Sequence, residues 1–450
     1  MTHEEGQALL AENAALRQLV AELQEQVEEL TSRLAELEKR SKTPSFVKAN
    51  RPKKEGPAKT RKKRSAEHNQ ARRREEPTRV EQHRVEECAT CGYQLRGESE
   101  AYRRQVIELP KPQPVEVIEH HIMKRWCPAC AAWQQPEMKW ETQVIGQGRI
   151  GVRLGALIAY LHQSLRAPVR VIQGYLLTIH QVRLSIGEIS ELLQRMKRQS
   201  ERAIADLKQA VQRQAVVHAD ETGWRENGRN GYIWCLTTDG LDAIRYYEFD
   251  PRRNRDVVTR LLGPAFGGHL VTDFYGSYNI YSGPHQRCWV HLLRDLHNLQ
   301  EEHQLDGEVV AWALAVRYQY LDACQAQELA EPAERERRYA LLWRRTELLG
   351  LQYAQVRKHP CQALAKRLLR HLDELYQFVL HPQVPADNNL AERALRPLVV
   401  QRKVSGGSRS RAGSETRLGL ASLFATWQAR NLNPFHEFLQ VLSRPLASSP

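Results

Sequence analysis

The apolar positions at the start of the chain repeat with a period of seven. Leucines stand at Leu9, Leu16, Leu23, Leu30 and Leu37, and a second row follows four residues after each of the first four, at Asn13, Val20, Val27 and Leu34. This heptad pattern predicts a coiled coil over residues 1–41, and it favours a parallel dimer whose register the polar Asn13 would set. One long amphipathic helix packed within its own chain is the alternative interpretation.

Residues 42–80 lose this pattern and are almost devoid of apolar positions. The stretch 42–79 holds fourteen basic and four acidic residues, a net charge of +10, together with four prolines. Such a composition predicts a disordered arm, and clustered positive charge suits sequence-independent contact with nucleic-acid phosphates. The candidate contacts are Arg61, Lys62, Lys63, Arg64, Arg72, Arg73 and Arg74. A solvated linker without a partner is the alternative.

Two Cys-x-x-Cys pairs mark residues 81–140. Cys88 with Cys91 and Cys127 with Cys130 flank two stretches, 103–109 and 115–119, whose β-branched residues predict strands. Four thiolates in two such turns complete a tetrahedral structural zinc site, so we expect a zinc-ribbon-like module that needs Zn²⁺ to fold. The neighbouring histidines are alternative ligands, although both fit strand positions better: His120 and His121.

Helical periodicity follows over residues 145–213. Ser185 and Glu188 form a capping box that predicts a helix through Met196. A second helix, around residues 169–179, precedes it after a short connection. A DNA-binding helix-turn-helix is one interpretation, and plain packing of two helices is the other.

Two short β-type runs end at aspartates. Residues 215–219 lead to Asp220 and residues 269–272 lead to Asp273. Between them lie strand candidates and a helix candidate, at 231–238, 243–249 and 254–262. This order is typical of a ribonuclease-H-like α/β fold, in which strand ends place carboxylates side by side. Such carboxylates suit two Mg²⁺ ions that share oxygen ligands in phosphoryl transfer.

The third carboxylate, Glu392, comes from a predicted helix. Asp387 fits the N-cap position, and Pro397 should end or kink the helix. Basic residues follow Glu392 where DNA phosphates would lie, at Arg393, Arg396, Arg402 and Lys403. The alternative is that Glu392 only pairs with Arg396, which would contribute about 0.2–0.5 kcal/mol.

The overall charge agrees with a polyanionic partner. Lys and Arg outnumber Asp and Glu by 66 to 53, a net charge of +13, which favours nucleic acid or an anionic membrane surface. The chain shows no signal-peptide pattern and no apolar stretch of about 18 residues. We therefore expect an intracellular protein without membrane contact, where Cys-x-x-Cys pairs point to metal ligands more than to disulfides.

Four stretches, in this order, resemble the insertion-sequence-66 family of bacterial DDE transposases. They are Asp-Glu-Thr-Gly (220–223), Asp-Phe-Tyr-Gly-Ser-Tyr (273–278), Cys-Trp-Val-His (288–291) and Asp-Asn-Asn-Leu-Ala-Glu-Arg (387–393). The resemblance implies that Asp220, Asp273 and Glu392 are catalytic and bind two Mg²⁺ or Mn²⁺ ions. That family also carries a leucine zipper, a basic linker and a zinc finger before its catalytic domain. The segment 404–411, Val-Ser-Gly-Gly-Ser-Arg-Ser-Arg, departs from the commoner family pattern.

The resemblance also implies a function. Such a transposase would bind the terminal repeats of its element, cut the DNA and join it to target DNA, acting as a homodimer or higher oligomer through the coiled coil. Accessory proteins of the same element are candidate partners, and the expected location is the bacterial cytoplasm, at the nucleoid. The alternatives are a ribonuclease-H-fold nuclease that cuts without joining and a DNA-binding regulator with an inactive catalytic domain.

Cys288 and His291 look like the family's Cys-x-x-His feature. Their spacing suits one face of a helix. A zinc pair, a core contact and support of the active site are all open, because two ligands alone do not make a zinc centre.

The predicted fold class is multidomain α/β, with a ribonuclease-H-like catalytic domain interrupted by a helical insertion. The predicted segments are a leucine-zipper coiled coil (1–41), a disordered basic linker (42–80), a zinc-ribbon-like module (81–140), a helical region that is a candidate helix-turn-helix (145–213), the first part of the catalytic domain (214–302), the insertion (303–380), the final part of the catalytic domain with Glu392 (381–441) and a tail (442–450).

Overall fold

The computed structural model describes residues 76–107, 114–146 and 148–444. The predicted coiled coil (1–41) and residues 42–75 of the predicted basic arm therefore lie outside the described residues. The chain divides into two compact units, Met1–Glu108 and Leu109–Pro450.

In the first unit, the chain reverses direction at the first cysteine pair. The backbone N–H of Cys88 donates to the carbonyl of Tyr93 at 2.9 Å, and the N–H of Gly92 donates to the carbonyl of Cys88 at 2.8 Å. Glu87 and Gln94 form an antiparallel bridge across the turn. Gly92 has a φ of +71°, the left-handed conformation that this tight turn requires.

The second cysteine pair lies in a short hairpin of the second unit. Strands β1 (Arg125–Cys127) and β2 (Ala132–Gln134) pair antiparallel. The strands predicted at 103–109 and 115–119 are wrong, because the described residues of both stretches form no strand. Their apolar side chains, such as Val106 and Val117, are exposed. β-Propensity without a partner surface does not make a sheet.

Four helices lead from this hairpin to the central sheet. They are α1 (Val152–Gln163), α2 (Val169–His180), α3 (Ile186–Gln199) and α4 (Glu201–Gln212). The capping prediction is confirmed, because the Ser185 hydroxyl oxygen accepts a hydrogen bond from the Glu188 N–H at 3.0 Å. Ile158 of α1 shares a buried cluster with Phe438 near the end of the chain.

A five-stranded mixed sheet lies at the centre of the second unit. Its strands are β3 (Val216–Glu226), β4 (Arg229–Thr237), β5 (Arg245–Asp250), β6 (His269–Thr272) and β7 (His285–Arg287). The spatial order is β5-β4-β3-β6-β7. Strands β3, β4 and β5 pair antiparallel, whereas β3, β6 and β7 run parallel. Helix α5 (Arg255–Leu262) connects β5 to β6, and the short 3₁₀ helix Gly276–Ile280 precedes β7.

The sequence predicted most of these elements. The candidates at 231–238, 243–249 and 254–262 match β4, β5 and α5 to within two residues at each end. The short strand predicted to end before Asp220 is wrong, because β3 continues to Glu226 and pairs with β4 over this length. Asn227 and Gly228 have φ values of +48° and +77°, which is the conformation of a two-residue Asn-Gly hairpin turn.

Helices cover both faces of the sheet. On one face, Trp234 of β4 packs in a cluster with Leu261 of α5. On the other, the neighbouring Ile233 packs in a cluster with Leu395. Successive residues of β4 therefore enter opposite cores, as the alternation of a strand requires.

Six helices follow β7, in agreement with the helical character predicted for 303–380. They are α6 (Trp289–Glu302), α7 (Gly307–Gln327), α8 (Pro332–Ala354), α9 (Gln362–Arg370), α10 (Leu372–Leu375) and α11 (Gln377–Leu380). Trp289, Leu342 and Phe378 lie in their common buried cluster.

Three helices complete the described chain: α12 (Asn389–Ser405), α13 (Arg411–Ala429) and α14 (Pro434–Leu442). Asp387 caps the start of α12 as predicted, because its Oδ1 accepts a hydrogen bond from the N–H of Asn389 at 2.9 Å. The helix itself begins at Asn389, and Pro397 lies inside it, so the predicted end at Pro397 is wrong. An interior proline costs about 3 kcal/mol, but the leucines on either side of it, Leu395 and Leu398, are buried against the sheet.

The predicted α/β class is confirmed. The described part of the second unit combines helices with a mixed sheet and a separate short hairpin. Among the helices that the structure describes, none is long and apolar enough to cross a membrane.

Candidate active site

Asp220 lies inside β3, where β3 stops pairing with β6 and continues beside β4. Its Oδ1 accepts a hydrogen bond from the N–H of Glu221 at 2.8 Å. Burial raises the pKa of Asp220 to about 8, and the negative charges of Glu221, Asp273 and Glu392 contribute to this rise. Asp273 and Glu392 are therefore among the charged groups that act on Asp220.

Asp273 directly follows β6, as the sequence predicted. Its Oδ1 accepts a hydrogen bond from the N–H of Tyr275 at 2.8 Å. Its carbonyl oxygen accepts from the Thr272 hydroxyl at 2.7 Å and from Nη1 of Arg287 at 2.9 Å. The main chain and the side chain of Asp273 are therefore both held by neighbouring groups.

Glu392 lies in the first turn of α12, where the helix dipole favours a negative charge. Its Oε1 is 3.6 Å from Nε2 of His291. This buried oxygen has no hydrogen-bond partner in the described structure. A buried carboxylate oxygen without a donor is costly, so this position suits a cation ligand.

Asn388 connects the three elements that meet behind the carboxylates. Its Nδ2 donates to the carbonyl of Ala219 at 2.8 Å, and its own N–H donates to Sγ of Cys288 at 3.2 Å. Its Oδ1 lies 3.1 Å from Nδ1 of His218. Burial lowers the pKa of His218 to about 4, so the neutral ring donates this Nδ1–H to Asn388. One side chain thus joins β3 to α12.

Cys288 stands at the start of α6 and is buried. Its N–H donates to the carbonyl of Thr272 at 2.8 Å. Burial raises the pKa of its thiol to about 12, which favours the protonated form over the thiolate that binds zinc. His291, one turn later, faces Glu392 instead.

A second buried carboxylate, Glu221, escaped the sequence reasoning. Its side chain is 1% exposed, and its Oε1 accepts from Nε of Arg253 at 2.8 Å, while its Oε2 accepts from the Tyr278 hydroxyl at 2.5 Å. Burial raises the pKa of Glu221 despite these donors. Glu221 directly follows Asp220, and this pair of neighbouring acidic residues was the signal available in the sequence. Nothing in the sequence indicated the ion pair of Glu221 with Arg253, which lies 32 positions away.

The chemistry of these side chains fits a divalent cation. Asp220 has a raised pKa among like charges, and Glu392 Oε1 is unpartnered; Mg²⁺ prefers such carboxylate oxygens. In the part of the chain that the structure describes, no three His, Cys, Asp or Glu side chains are arranged so that they could hold a metal ion. The donor types therefore fit, although the side chains do not form a closed metal cage.

The sequence of this chain matches one known protein family. Residues 147–416 match the family described as Transposase IS66 family, and this range covers more than half of the chain. The chain belongs to the IS66 transposase family. Asp220, Asp273 and Glu392 all lie within the matched range.

Two proteins of Sinorhizobium fredii (strain NBRC 101917 / NGR234) are similar to this IS66-family chain. "Uncharacterized protein y4qI" is 27% identical over 218 residues, which cover 44% of this chain and 39% of that protein. "Uncharacterized protein y4jO" is 27% identical over 167 residues, which cover 37% of this chain and 50% of that protein. The chain thus spans half or less of the length of these relatives.

The predicted DNA-contacting residues of this IS66-family chain fall into two groups. Those of the basic arm lie outside the described residues: Arg61, Lys62, Lys63, Arg64, Arg72, Arg73 and Arg74. On α12, Arg393, Arg396 and Lys403 are exposed. Arg402 is partly buried, and its Nη1 donates to the carbonyl of Gly223, which links α12 to β3.

Each cysteine pair surrounds its first thiol with backbone donors. Hydrogen bonds from the backbone of Thr90 and Cys91 lower the pKa of Cys88. A hydrogen bond from the backbone of Cys130 likewise lowers the pKa of Cys127. Such donors favour the thiolate, which is the form that binds metals.

Proposed function

We propose that this chain is a DNA transposase that binds the ends of its insertion sequence, cuts a phosphodiester bond and joins the freed 3′-hydroxyl to target DNA. The observation that carries the proposal is the placement of Asp220 in β3, of Asp273 directly after the neighbouring strand β6, and of Glu392 in the first turn of α12, which Asn388 bonds to β3. Membership of the IS66 transposase family supports it.

The catalytic domain is proposed to be ribonuclease-H-like. The strand order β5-β4-β3-β6-β7 supports this fold. Three antiparallel strands, a helix and a parallel strand follow one another here in the order expected from the sequence. Asp220 lies on strand β3, and Asp273 directly follows the neighbouring strand β6. This placement suits a shared site.

Asp220, Asp273 and Glu392 would hold two Mg²⁺ or Mn²⁺ ions. When bound, such ions activate the attacking oxygen and stabilise the leaving oxygen of the phosphodiester. The protein's own contribution is to orient these carboxylates, through Asn388 between β3 and α12 and through His291 beside Glu392.

Basic residues near the carboxylates would bind the DNA backbone. Arg393, Arg396, Arg402 and Lys403 follow Glu392 on α12, and the basic arm would add contacts without sequence preference. An open cleft of about 480 Å³ is lined by Arg253, which binds Glu221. This cleft suits a DNA strand beside the proposed metal site.

Zn²⁺ is proposed to bind Cys88, Cys91, Cys127 and Cys130. The backbone donors at Cys88 and Cys127 support thiolate ligands. Metal analysis of the purified protein should find about one zinc per chain. Zinc that persists after replacement of Cys127 and Cys130 by serine would exclude these ligands.

The assembly is also part of the proposal. The heptads of residues 1–41 would form a homodimer or a higher oligomer, accessory proteins of the same element are candidate partners, and the protein would act at the nucleoid in the bacterial cytoplasm. The two relatives are matched over only 39% and 50% of their length, so the proposal for the assembly rests on the heptads of this chain and on its family resemblance.

The test uses purified full-length protein, Mg²⁺ and a plasmid that carries both ends of the element. Asp220→Ala, Asp273→Ala and Glu392→Ala should each lower cleavage on the order of 10³-fold or more, because the three residues act as a unit. DNA binding, measured by gel shift, should change little. Asp242→Ala, which removes an exposed aspartate between β4 and β5, should leave cleavage unchanged.

Other outcomes would select another function. Cleavage that survives all three single replacements contradicts the proposed site. Cleavage without joining of precut element ends would indicate a nuclease. DNA binding without any cleavage by the wild-type protein would indicate a regulator.

A further inference from the structure

Arg287, at the end of β7, is fully buried beside Asp273. Its Nη1 donates to the carbonyl of Asp273 at 2.9 Å and to Oγ1 of Thr272 at 3.2 Å. Its Nη2 donates to Oδ1 of Asn279 at 2.6 Å. A buried guanidinium needs a negative partner as well as hydrogen bonds.

That partner is Glu374, which belongs to α10 of the helical segment between Asp273 and Glu392. Its Oε2 accepts hydrogen bonds from Nε of Arg287 and, at 3.0 Å, from Nδ1 of His371. Burial raises the pKa of Glu374, but the His371 bond and the Arg287 charge outweigh it and hold the pKa at about 2. Glu374 is therefore ionised at neutral pH and orients Arg287 as a charged pair.

The segment around Glu374 is itself attached to β7 and α6. Nε2 of Gln286 donates to the carbonyl of Leu375 at 3.0 Å, and the N–H of Phe378 donates to Oε1 of Gln286 at 3.1 Å. Nε1 of Trp289 also donates to the Leu375 carbonyl, at 2.6 Å. These bonds place Glu374 at a defined distance from Arg287.

We propose that the helical insertion positions Asp273: Glu374 orients the Arg287 guanidinium, and Arg287 holds the main chain of Asp273 in the conformation that presents its carboxylate. The insertion is then a support of the active site as well as a spacer between its second and third carboxylates. Glu374 and Arg287 are positioning residues, because neither would touch the DNA or the metal. The proposal rests on the proposed function, since it takes Asp273 as a metal ligand.

The test is Glu374→Gln, which keeps the size of the side chain and removes its charge. Mn²⁺ affinity of the metal-free full-length protein is measured by titration calorimetry, and cleavage is measured on the plasmid with both element ends. We expect each to fall about 10- to 100-fold, the range for residues that orient metal ligands. Glu374→Asp, which keeps the charge but shortens the side chain, should lose less.

Asp322→Asn is the matched control. Asp322 also forms ion pairs inside the insertion, with the partly exposed Arg338 and Arg345 at 3.4 and 3.2 Å. It has no bond to β7 in the described structure. Thermal unfolding of all variants separates lost stability from lost positioning, and Asp322→Asn should stay within about twofold of wild type in both assays, as expected of a pair away from the ligands.

The outcomes distinguish the two proposals. If Asp273→Ala abolishes cleavage and weakens Mn²⁺ binding while Glu374→Gln changes neither, the positioning role is wrong and the function stands. If Asp273→Ala leaves both unchanged, the proposed function fails. Should Glu374→Gln not fold, Arg287→Lys takes its place, because it keeps the charge opposite Glu374 but removes the guanidinium group that donates to the Asp273 carbonyl. Wild-type Mn²⁺ affinity and cleavage in Arg287→Lys overturn the positioning role.

Discussion

Asn388 shows at the residue scale how the site is held together. Its amide group bonds to Ala219 and His218, which directly precede Asp220 in β3. It also precedes α12, which carries Glu392. The sequence drew attention to the acidic residues because carboxylates at strand ends suggest metals. It could not show the partners of Asn388, because these bonds join residues 169 and 170 positions apart.

Replacement of Asn388 tests this connection. Asn388→Ala leaves the Ala219 carbonyl and the His218 N–H without partners, and each buried group left unsatisfied costs about 1–3 kcal/mol. The variant also loses the bonds that join β3 to α12 beside the carboxylates. Cleavage should therefore fall even at temperatures where the variant is still folded. The control, Asn433→Ala, removes the cap of α14, costs about 1 kcal/mol and lies outside the site. Equal loss of cleavage in both variants would show that Asn388 acts only through stability.

At the scale of elements, β3 and the loop before α13 depend on each other. The N–H of Ser408 donates to the carbonyl of Arg225, and the N–H of Asn227 donates to the carbonyl of Ser408, both at 2.8 Å. This pairing helps β3 extend to Glu226 although aspartate, glutamate and glycine are poor strand formers. Burial of Leu395 and Leu398 against the sheet likewise supports α12 on either side of Pro397. Local signals predicted that β3 ends at Asp220 and that α12 ends or kinks at Pro397, but packing extends β3 to Glu226 and carries α12 to Ser405.

Gly407 is the residue that allows this close approach. Its φ is +106°, and a Cβ at this position would overlap the carbonyl oxygen of Arg225. Gly407→Ala should therefore cost at least about 2 kcal/mol, from backbone strain and loss of the docked loop. Gly406 is the control, because its φ is +71° and a Cβ there would have no atom within 4 Å. Gly406→Ala should cost only about 1 kcal/mol, and equal urea midpoints for the two variants would refute the steric argument.

At the scale of the whole molecule, the chain path decides which distant segments meet. Strand β3 lies between β4 and β6, so Asp220 and Asp273 come from neighbouring strands although a hairpin and a helix separate them. The helices after β7 return the chain to the same sheet at Glu392. Membership of the IS66 transposase family agrees with this arrangement, since the matched range includes all three positions.

The predicted oligomer belongs to the same scale. Deletion of residues 1–41 removes every heptad leucine of the predicted coiled coil, so light scattering should show a dimer or larger species for the full chain and a smaller one for the truncated chain. Replacement of Lys62 and Lys63 by alanine is the control, because it alters the basic arm and leaves the heptads intact. An unchanged mass after deletion would refute the role of the coiled coil.

The sequence by itself determined the local features: the elements β4, β5 and α5, the Ser185 cap and the position of Asp273 after β6. These depend on neighbouring residues and on the periods of strands and helices. The tertiary structure decided the length of β3, the continuation of α12, the burial of Glu221 and the Glu374–Arg287 pair. Each of these depends on groups far apart in the chain, whose free energy of contact outweighs local preference.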